Sequence, residues 1–514
     1  MRRLLAAATA SAATAPVFGN ITDTQGSIII HKHEHQTTTN ETAKPDGSSD
    51  ISTDTIDGVT FTVYKVNDLD LLNTATDWNG LDAVKVPAVV TPNTTISING
   101  TDHTLTKVAD VTTQSGGIAK AEGLDVAAYV VVETKRPSNV VDSAQPFLVT
   151  IPFPDNANTK GWLYDVNVYP KNGVAGITKS VDSQTDLGLG ATATYPVTGD
   201  VPVLADGSYL KYYIIKDNFD SRLTNHKVAS VQVDGVDVNP DYYVKSPTPG
   251  TDETTVGFTK AGLAWLQTQQ GKKVVVTYTA TVNAVGDGTI KNTATLYTDT
   301  DTTSDPTNPN TPEPPTTPGD IPPDPSNPNP PTPPTTPDVE QKWGDLIIKK
   351  VDDGNGSAPL TGAEFKVYES ADPYAASCTS KATTGDPIKV QGGTGADGAT
   401  FTTGTDGKVT IPGLFVSDSV NATINAEQRC YVVVETKAPT GYVLPSGDAA
   451  KTAVAVKYGQ TATSTVDTTV SNTKQAIPGL PLTGSQAMIV VVAAGVLLVG
   501  GSISLVIANR RRRA

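Results

Sequence analysis

A chain of 514 residues, at roughly 150 per domain, allows three or four domains. Its 37% hydrophobic content and 44 glycines suit a chain that builds cores, which excludes wholesale disorder. A net charge of −15 argues against nucleic acid as a partner, and two cysteines and five histidines exclude a disulfide-dense scaffold or a Cys-based zinc cluster.

The N-terminus reads Met1-Arg2-Arg3, a short Leu/Ala run, then small residues to Gly19, the pattern of a secretory signal peptide over 1–19. The mature chain opens with Gly26-Ser27-Ile28-Ile29-Ile30-His31-Lys32-His33-Glu34, continues with Gly58-Val59-Thr60-Phe61-Thr62-Val63-Tyr64, and reaches Tyr129-Val130-Val131-Val132-Glu133-Thr134-Lys135. Short β-branched runs between Gly, Asp, Pro and Ser turns predict a β-sandwich over 20–171. His31, His33 and His35 alternate along the first strand and share a face; such a row is more often an exposed strand face than a zinc site, and no metal is assigned. Trp162-Leu163-Tyr164-Asp165-Val166-Asn167-Val168-Tyr169-Pro170-Lys171 closes this region. A second all-β region is predicted over 172–300, from Ile177-Thr178-Lys179 to Asn292-Thr293-Ala294-Thr295-Leu296-Tyr297. Fifteen prolines between Asp305 and Asp338 then predict an extended polyproline linker over 301–340 that forms no packed core.

The third region, 341–475, degenerately repeats the first. Gly344-Asp345-Leu346-Ile347-Ile348-Lys349-Lys350 parallels Gly26 onward, Gly362 to Tyr368 parallels Gly58 to Tyr64, and Tyr431-Val432-Val433-Val434-Glu435-Thr436-Lys437 parallels Tyr129 to Lys135. Both cysteines, Cys378 and Cys430, fall here, whereas all five histidines lie elsewhere; a Cys nucleophile would want a His partner, so a disulfide closing about 50 residues is expected, worth roughly 4 kcal/mol in the chain-entropy model. At the end stand Leu480-Pro481-Leu482-Thr483-Gly484, an apolar run from Ala487 to Ala508 of bilayer-spanning length, and Arg510 to Arg513, which favour a cytoplasmic tail and an external remainder.

These three terminal features resemble the LPxTG sorting signal of Gram-positive surface proteins. The stretch Trp162, Val166, Val168, Tyr169, Pro170 and Lys171 matches the pilin motif (WxxxVxVYPK), and Tyr431, Glu435, Thr436, Pro439, Gly441 and Tyr442 resemble the E-box of the same family. The chain is thereby identified as a member of the major, shaft-forming subunits of sortase-assembled pili. The resemblance implies three tandem immunoglobulin-like sandwiches of the CnaA and CnaB types. It implies a secreted protein anchored to peptidoglycan as a fimbrium that supports adhesion. A pilus-specific sortase would cleave after Thr483 and join it to Lys171 of an identical subunit, head to tail. Tip or base pilins and host receptors are the further partners it names. No cofactor and no enzymatic activity on an outside substrate are expected. A monomeric wall-anchored adhesin or a minor base pilin is the alternative, and the pilin motif and chain length favour the shaft.

Sandwich domains of such pilins often carry self-formed Lys–Asn amides. These require a lysine on the first strand, an asparagine on the last and a buried acid between them. The third region offers Lys350, Asn472 and Glu435, with Leu346, Ile348 and Lys350 on one strand face and Thr468, Val470 and Asn472 on another. The second offers Lys179 and Asn292, with Asp217 as the acid and Asp220 as its rival. In the first, Lys32 and Glu133 take the corresponding places; the closing asparagine is open between Asn172 and the weaker candidate Asn167.

Overall fold

The computed structural model describes residues 21–37, 43–49, 51–155, 161–248, 251–323, 332–355, 358–461 and 465–476. The expected signal peptide, the sorting residues Leu480, Pro481, Leu482, Thr483 and Gly484, the apolar run and the arginine tail lie outside the described residues. Three tandem β-sandwiches follow one another along the chain, and the described helices are few and short.

The first contains β1 (Gln25–His31), β2 (His33–Glu34), β3 (Thr60–Val66), β4 (Thr95–Ile98), β5 (Thr101–Thr112), β6 (Ile118–Asp125), β7 (Ala127–Lys135), β8 (Val140–Asp142), β9 (Phe147–Ile151), β10 (Phe153–Asp155), β11 (Gly161–Leu163), β12 (Asp165–Val168) and β13 (Lys171–Val174). A five-stranded sheet in the order β4-β5-β3-β7-β9 packs against a three-stranded sheet, β12-β1-β6. Ile28, Ile30, Phe61, Tyr129, Val131 and Val166 share the core between them. The apolar run in β7 is explained by burial on both faces: Tyr129 and Val131 enter this core, while Val130 and Val132 cover a second cluster with Leu71, Ile96 and Leu105. β1 and β12 are parallel, with Ile28 opposite Val166 and Ile30 opposite Val168; beyond a break, β2 and β13 resume the same alignment, with His33 opposite Lys171.

The second sandwich contains β14 (Ile177–Lys179), β15 (Thr192–Asp200), β16 (Tyr209–Asn218), β17 (Leu223–Val233), β18 (Val236–Asp237), β19 (Tyr243–Thr248), β20 (Thr251–Phe258), α1 (Lys260–Leu266), β21 (Lys273–Val282) and β22 (Thr289–Asp301). Strict alternation in β15 sends Ala193, Tyr195 and Val197 inward, as the period of two requires. Thr259 caps α1, its hydroxyl accepting from the Gly262 amide at 3.2 Å. The third contains β23 (Val339–Asp352), β24 (Glu364–Ser370), β25 (Thr383–Thr384), β26 (Phe401–Thr402), β27 (Lys408–Asp418), β28 (Gln428–Lys437), β29 (Lys451–Lys457) and β30 (Thr468–Asn472).

The second and third sandwiches share a strand. β23 begins antiparallel to β22, with Asn292 opposite Val339, and runs on to pair with β27 and, in parallel, with β30. Their cores merge into one cluster around Trp343, which is fully buried. Two backbone bonds reinforce the junction, from the Phe415 amide to the Leu187 carbonyl at 2.9 Å and from Gln391 to Leu189 at 2.7 Å.

The proline-rich stretch, read from composition as an extended linker without packing, instead doubles back over the second sandwich. The Leu296 amide donates to the Pro334 carbonyl at 3.0 Å, Thr336 to Ala294 at 2.9 Å, and Lys260 Nζ to the Thr311 carbonyl at 2.5 Å. It crosses so near Gly257 that a Cβ there would stand 2.0 Å from the Thr316 carbonyl oxygen, so any side chain at 257 would push the strap off the sheet. Prolines lack the N–H that a sheet ladder needs, but their carbonyls accept, and their rings cover apolar surface.

Candidate functional site

Each sandwich brings together a lysine, an acid and an asparagine in its interior. In the third, β30 lies parallel to β23 with Val470 opposite Lys350, so Asn472 stands two residues further along on the same face. Lys350 Nζ lies 3.0 Å from Glu435 Oε2, and Asn472 Nδ2 donates to Glu435 Oε1 at 2.7 Å. Lys350 Nζ also contacts Asn472 Oδ1. All three residues are buried, and burial pushes the lysine below its ordinary range against the pull of Glu435. The E-box builds around this group. Tyr431 donates to the Phe415 carbonyl, Thr436 to the Glu364 carbonyl at 3.2 Å and Tyr442 to Asp352 at 3.0 Å. The turn from Pro439 through Gly441 accepts the amides of Tyr442 and Gln475 at 3.1 and 2.9 Å, fixing where the chain leaves the domain.

The first sandwich repeats the geometry. Lys32 Nζ is 3.1 Å from Glu133 Oε2, contacts Asn172 Oδ1, and Asn172 Nδ2 donates to Glu133 Oε1 at 2.9 Å. The Ala144 amide donates to Asn172 Oδ1 at 2.9 Å, polarising the carbonyl a lysine would attack. Burial lowers Lys32 to about 8, and the Glu133 charge and hydrogen bond oppose the shift. Asn167 stands on the opposite face, where His31 and Pro45 bind it.

In the second sandwich Lys179 and Asp217 form a fully buried ion pair, with the amine 4.8 Å from the Tyr195 ring centre and 5.7 Å from that of Phe219. Asn292 lies against Asp217. Neither of its amide atoms makes a hydrogen bond of regular geometry among the described residues. Burial raises Asp217 to about 6 and lowers Lys179. The pair can therefore exchange its charged form for a neutral amine and a protonated acid. Asp220 is taken up by Arg222, at 2.8 Å from Nε and 2.6 Å from Nη2, and that hydrogen bond holds it below the usual carboxylate range.

Lys171 is different in kind. It opens β13, half-exposed, while the next residue, Asn172, is buried. Two aromatic residues of its motif are braced from outside the motif: Trp162 lies against Trp78 at 5.0 Å between ring centres, and Tyr169 stacks on His31 at 4.7 Å. The histidine row has separate partners. His31 binds Asn167 Oδ1 at 2.8 Å, His33 binds the Thr53 carbonyl at 3.0 Å, and the His35 amide donates to the Asn172 carbonyl at 2.8 Å. Cys378 and Cys430 form a disulfide with Cα atoms 5.3 Å apart, and Cys430 lies near the start of the strand that carries Glu435.

One class of protein unites such features: modular β-sandwich surface proteins with a cell-wall anchor. Residues 23–173 match the family model for the N-terminal domain of a Gram-positive pilin subunit, 344–473 a prealbumin-like fold domain, and 472–514 the LPXTG cell wall anchor motif. The chain is 39% identical over 516 residues to the fimbrial subunit type 2 of Actinomyces naeslundii, covering 96% of this chain and 90% of the relative. It is 31% identical over 559 residues to the fimbrial subunit type 1 of Actinomyces viscosus, covering 99% and 95%. The full-length major pilin SpaD of Corynebacterium diphtheriae superposes with a TM-score of 0.62 at 27% identity, over 88% of this chain and 98% of that one. The chain belongs to the fimbrial subunits of sortase-assembled Gram-positive pili, displayed at the cell wall.

A test of the buried lysine follows from its titration. Asn172→Ala leaves Lys32 a free amine. Between pH 10.5, its unfolded value, and about 8, the unfolded chain binds a proton that the folded chain refuses, so stability falls as pH falls through that window. The variant is expected to lose about 3 kcal/mol, relative to the parent, between pH 10.5 and 8 in urea titrations. If Lys32 is acylated in the parent, the parent has no such titration; equal slopes in the two proteins would refute the assignment.

Proposed function

We propose that this chain is the shaft subunit of a covalent fimbria, with Thr483 of one copy joined by an amide to Lys171 of the next. The sortase cleaves the Thr483–Gly484 bond and holds Thr483 as a thioester. Neutral Lys171 Nζ attacks the thioester carbonyl, the C–N bond forms, the C–S bond breaks, and the amine's proton passes to the enzyme. The observation that carries the reading is the contrast between lysines: Lys32, Lys179 and Lys350 are enclosed with acids, whereas Lys171 is half-exposed in a braced motif. Wall extracts blotted for the protein test it. A high-mass ladder is expected, and Lys171→Ala should abolish it; a single band in the wild type would return the chain to a monomeric wall-anchored adhesin.

The same reading assigns internal amides to Lys32–Asn172, Lys179–Asn292 and Lys350–Asn472, promoted by Glu133, Asp217 and Glu435. In each, the neutral amine attacks the asparagine Cγ, the protonated acid gives its proton to the leaving nitrogen and takes one from the attacking nitrogen, and the old Cγ–N bond breaks as ammonia departs. This self-directed chemistry is the only catalysis proposed for the chain. The completed fimbria would be bonded to peptidoglycan and carry tip or base pilins, with host receptors as adhesion partners.

A further inference from the structure

Proline at position 170 leaves a fault in the sheet directly before Lys171. β1 and β12 stop at His31 and Val168, and the ladder resumes only at His33 and Lys171. Pro170 has no N–H to give, and its carbonyl accepts from His33 at 3.3 Å, a long bond. Across this fault the outer face is tied by side chains instead. The His31 ring lies over Tyr169 at 4.7 Å and 15° between planes, and its Nε2 meets Asn167 Oδ1 at 2.8 Å. Asn167, Tyr169 and Lys171 share that face by the strand period, and the buried Asn172 faces the core. One imidazole therefore holds the two residues that precede Lys171 on its own face. The neighbouring histidines do not duplicate it: His33, opposite Lys171, is buried with its Nδ1 on the Thr53 carbonyl.

We propose that His31 is a positioning residue for polymerisation: by clamping Tyr169 and Asn167 it fixes the direction in which Lys171 leaves the sheet and meets the acyl group. This rests on Lys171 being the acceptor. The clamp acts on the acceptor role alone, because Thr483 of the same chain lies at the opposite end of the sequence. A misplaced acceptor amine slows the attack on the thioester without touching cleavage of the sorting signal.

The experiment uses the mature chain and its sortase in vitro, and reads two rates from the same protein. A fluorescent Leu-Pro-Leu-Thr-Gly peptide as acyl donor measures acceptance by Lys171; release of the C-terminal fragment measures donation at Thr483. His31→Ala is expected to slow acceptance roughly tenfold, the worth of a lost stack and hydrogen bond, and to leave donation unchanged. His31→Phe keeps the stack and should recover most of the rate; His31→Gln keeps only the polar contact and should stay slow. Intact mass checks that the amide at Lys32 still forms. Acceptance at the wild-type rate in His31→Ala, or an equal fall in both rates, would overturn the proposal. Acceptance by Lys171→Ala at the wild-type rate would instead remove the acceptor reading beneath it.

Discussion

A Glu435→Ala chain is expected to be about 17 Da heavier than a fully cross-linked chain with the same substitution would be, the mass of one retained ammonia. It should also lose roughly 10 °C from the melting temperature of the transition that the middle and C-terminal domains share. The carboxyl bridges Lys350 Nζ at 3.0 Å and Asn472 Nδ2 at 2.7 Å, so it stands where a proton must pass from the attacking amine to the leaving nitrogen. Without it the amide does not form, and a buried amine loses its counter-charge. The missing bond would have enclosed the chain between Lys350 and Asn472, 122 residues apart, a closure worth about 5 kcal/mol by the chain-entropy estimate. At roughly 2 °C per kcal/mol for a cooperative unit of two domains, that is the predicted loss. Glu435→Gln separates the two contributions. It keeps the side chain's volume and one acceptor oxygen but cannot shuttle the proton, so it should retain the ammonia and yet melt above the alanine variant. Mass spectrometry of the unsubstituted ectodomain is decisive: a mass equal to that of the uncyclised sequence would sink the assignment.

Much of the arrangement was legible in the residues, for reasons that show where legibility stops. Lys350 and Asn472 pair by parity because Asn472 closes a short strand and Lys350 lies in the part of β23 beyond its register shifts near Trp343 and Gly344, where the period of two survives folding. The closing asparagine of the first domain stays open in the sequence, since Pro170 breaks the strand between Asn167 and Asn172 and parity must be carried across the fault. Once Lys171 faces outward, Asn172 must face inward, and the core receives it. The brace of Trp78 on Trp162 and the Ala144 amide on Asn172 left no local signal, because each joins segments dozens of residues apart. The proline-rich stretch misled for a related reason. Composition records that its prolines cannot donate hydrogen bonds, not that carbonyls such as those of Thr311 and Pro334 find donors on the neighbouring sandwich. The continuity of β23 across two domains is hidden likewise, since Val339 and Glu340 read as the end of a linker until β22 lies beside them.

That shared strand makes Trp343 the second site of large expected effect. The residue sits on β23 just past the segment that pairs with β22, and before the segment that pairs with β30. Its amide donates to Gly288 of the middle domain at 2.8 Å, its carbonyl accepts from Gly459 of the C-terminal domain at 3.2 Å, and its ring meets Phe415 edge-on at 5.3 Å. Fully buried in the core the two domains share, it couples their unfolding. Trp343→Ala should cost about 3–5 kcal/mol, the usual price of emptying so large a buried site. Because the void falls at the junction, calorimetry should resolve one cooperative transition into two. The indole Nε1 has no hydrogen-bond partner among the described residues, so Trp343→Phe discards an unpaired polar group along with some volume. It should therefore cost about 1 kcal/mol and preserve the single transition. The three proposed amide-forming triads remain in place in these variants, so their masses should differ from the parent's by the substitution alone, and any loss of stability is then one of packing. A Trp343→Phe chain as unstable as Trp343→Ala would refute the packing argument, and an unsplit transition in Trp343→Ala would show that the two domains are joined more strongly elsewhere than at this residue.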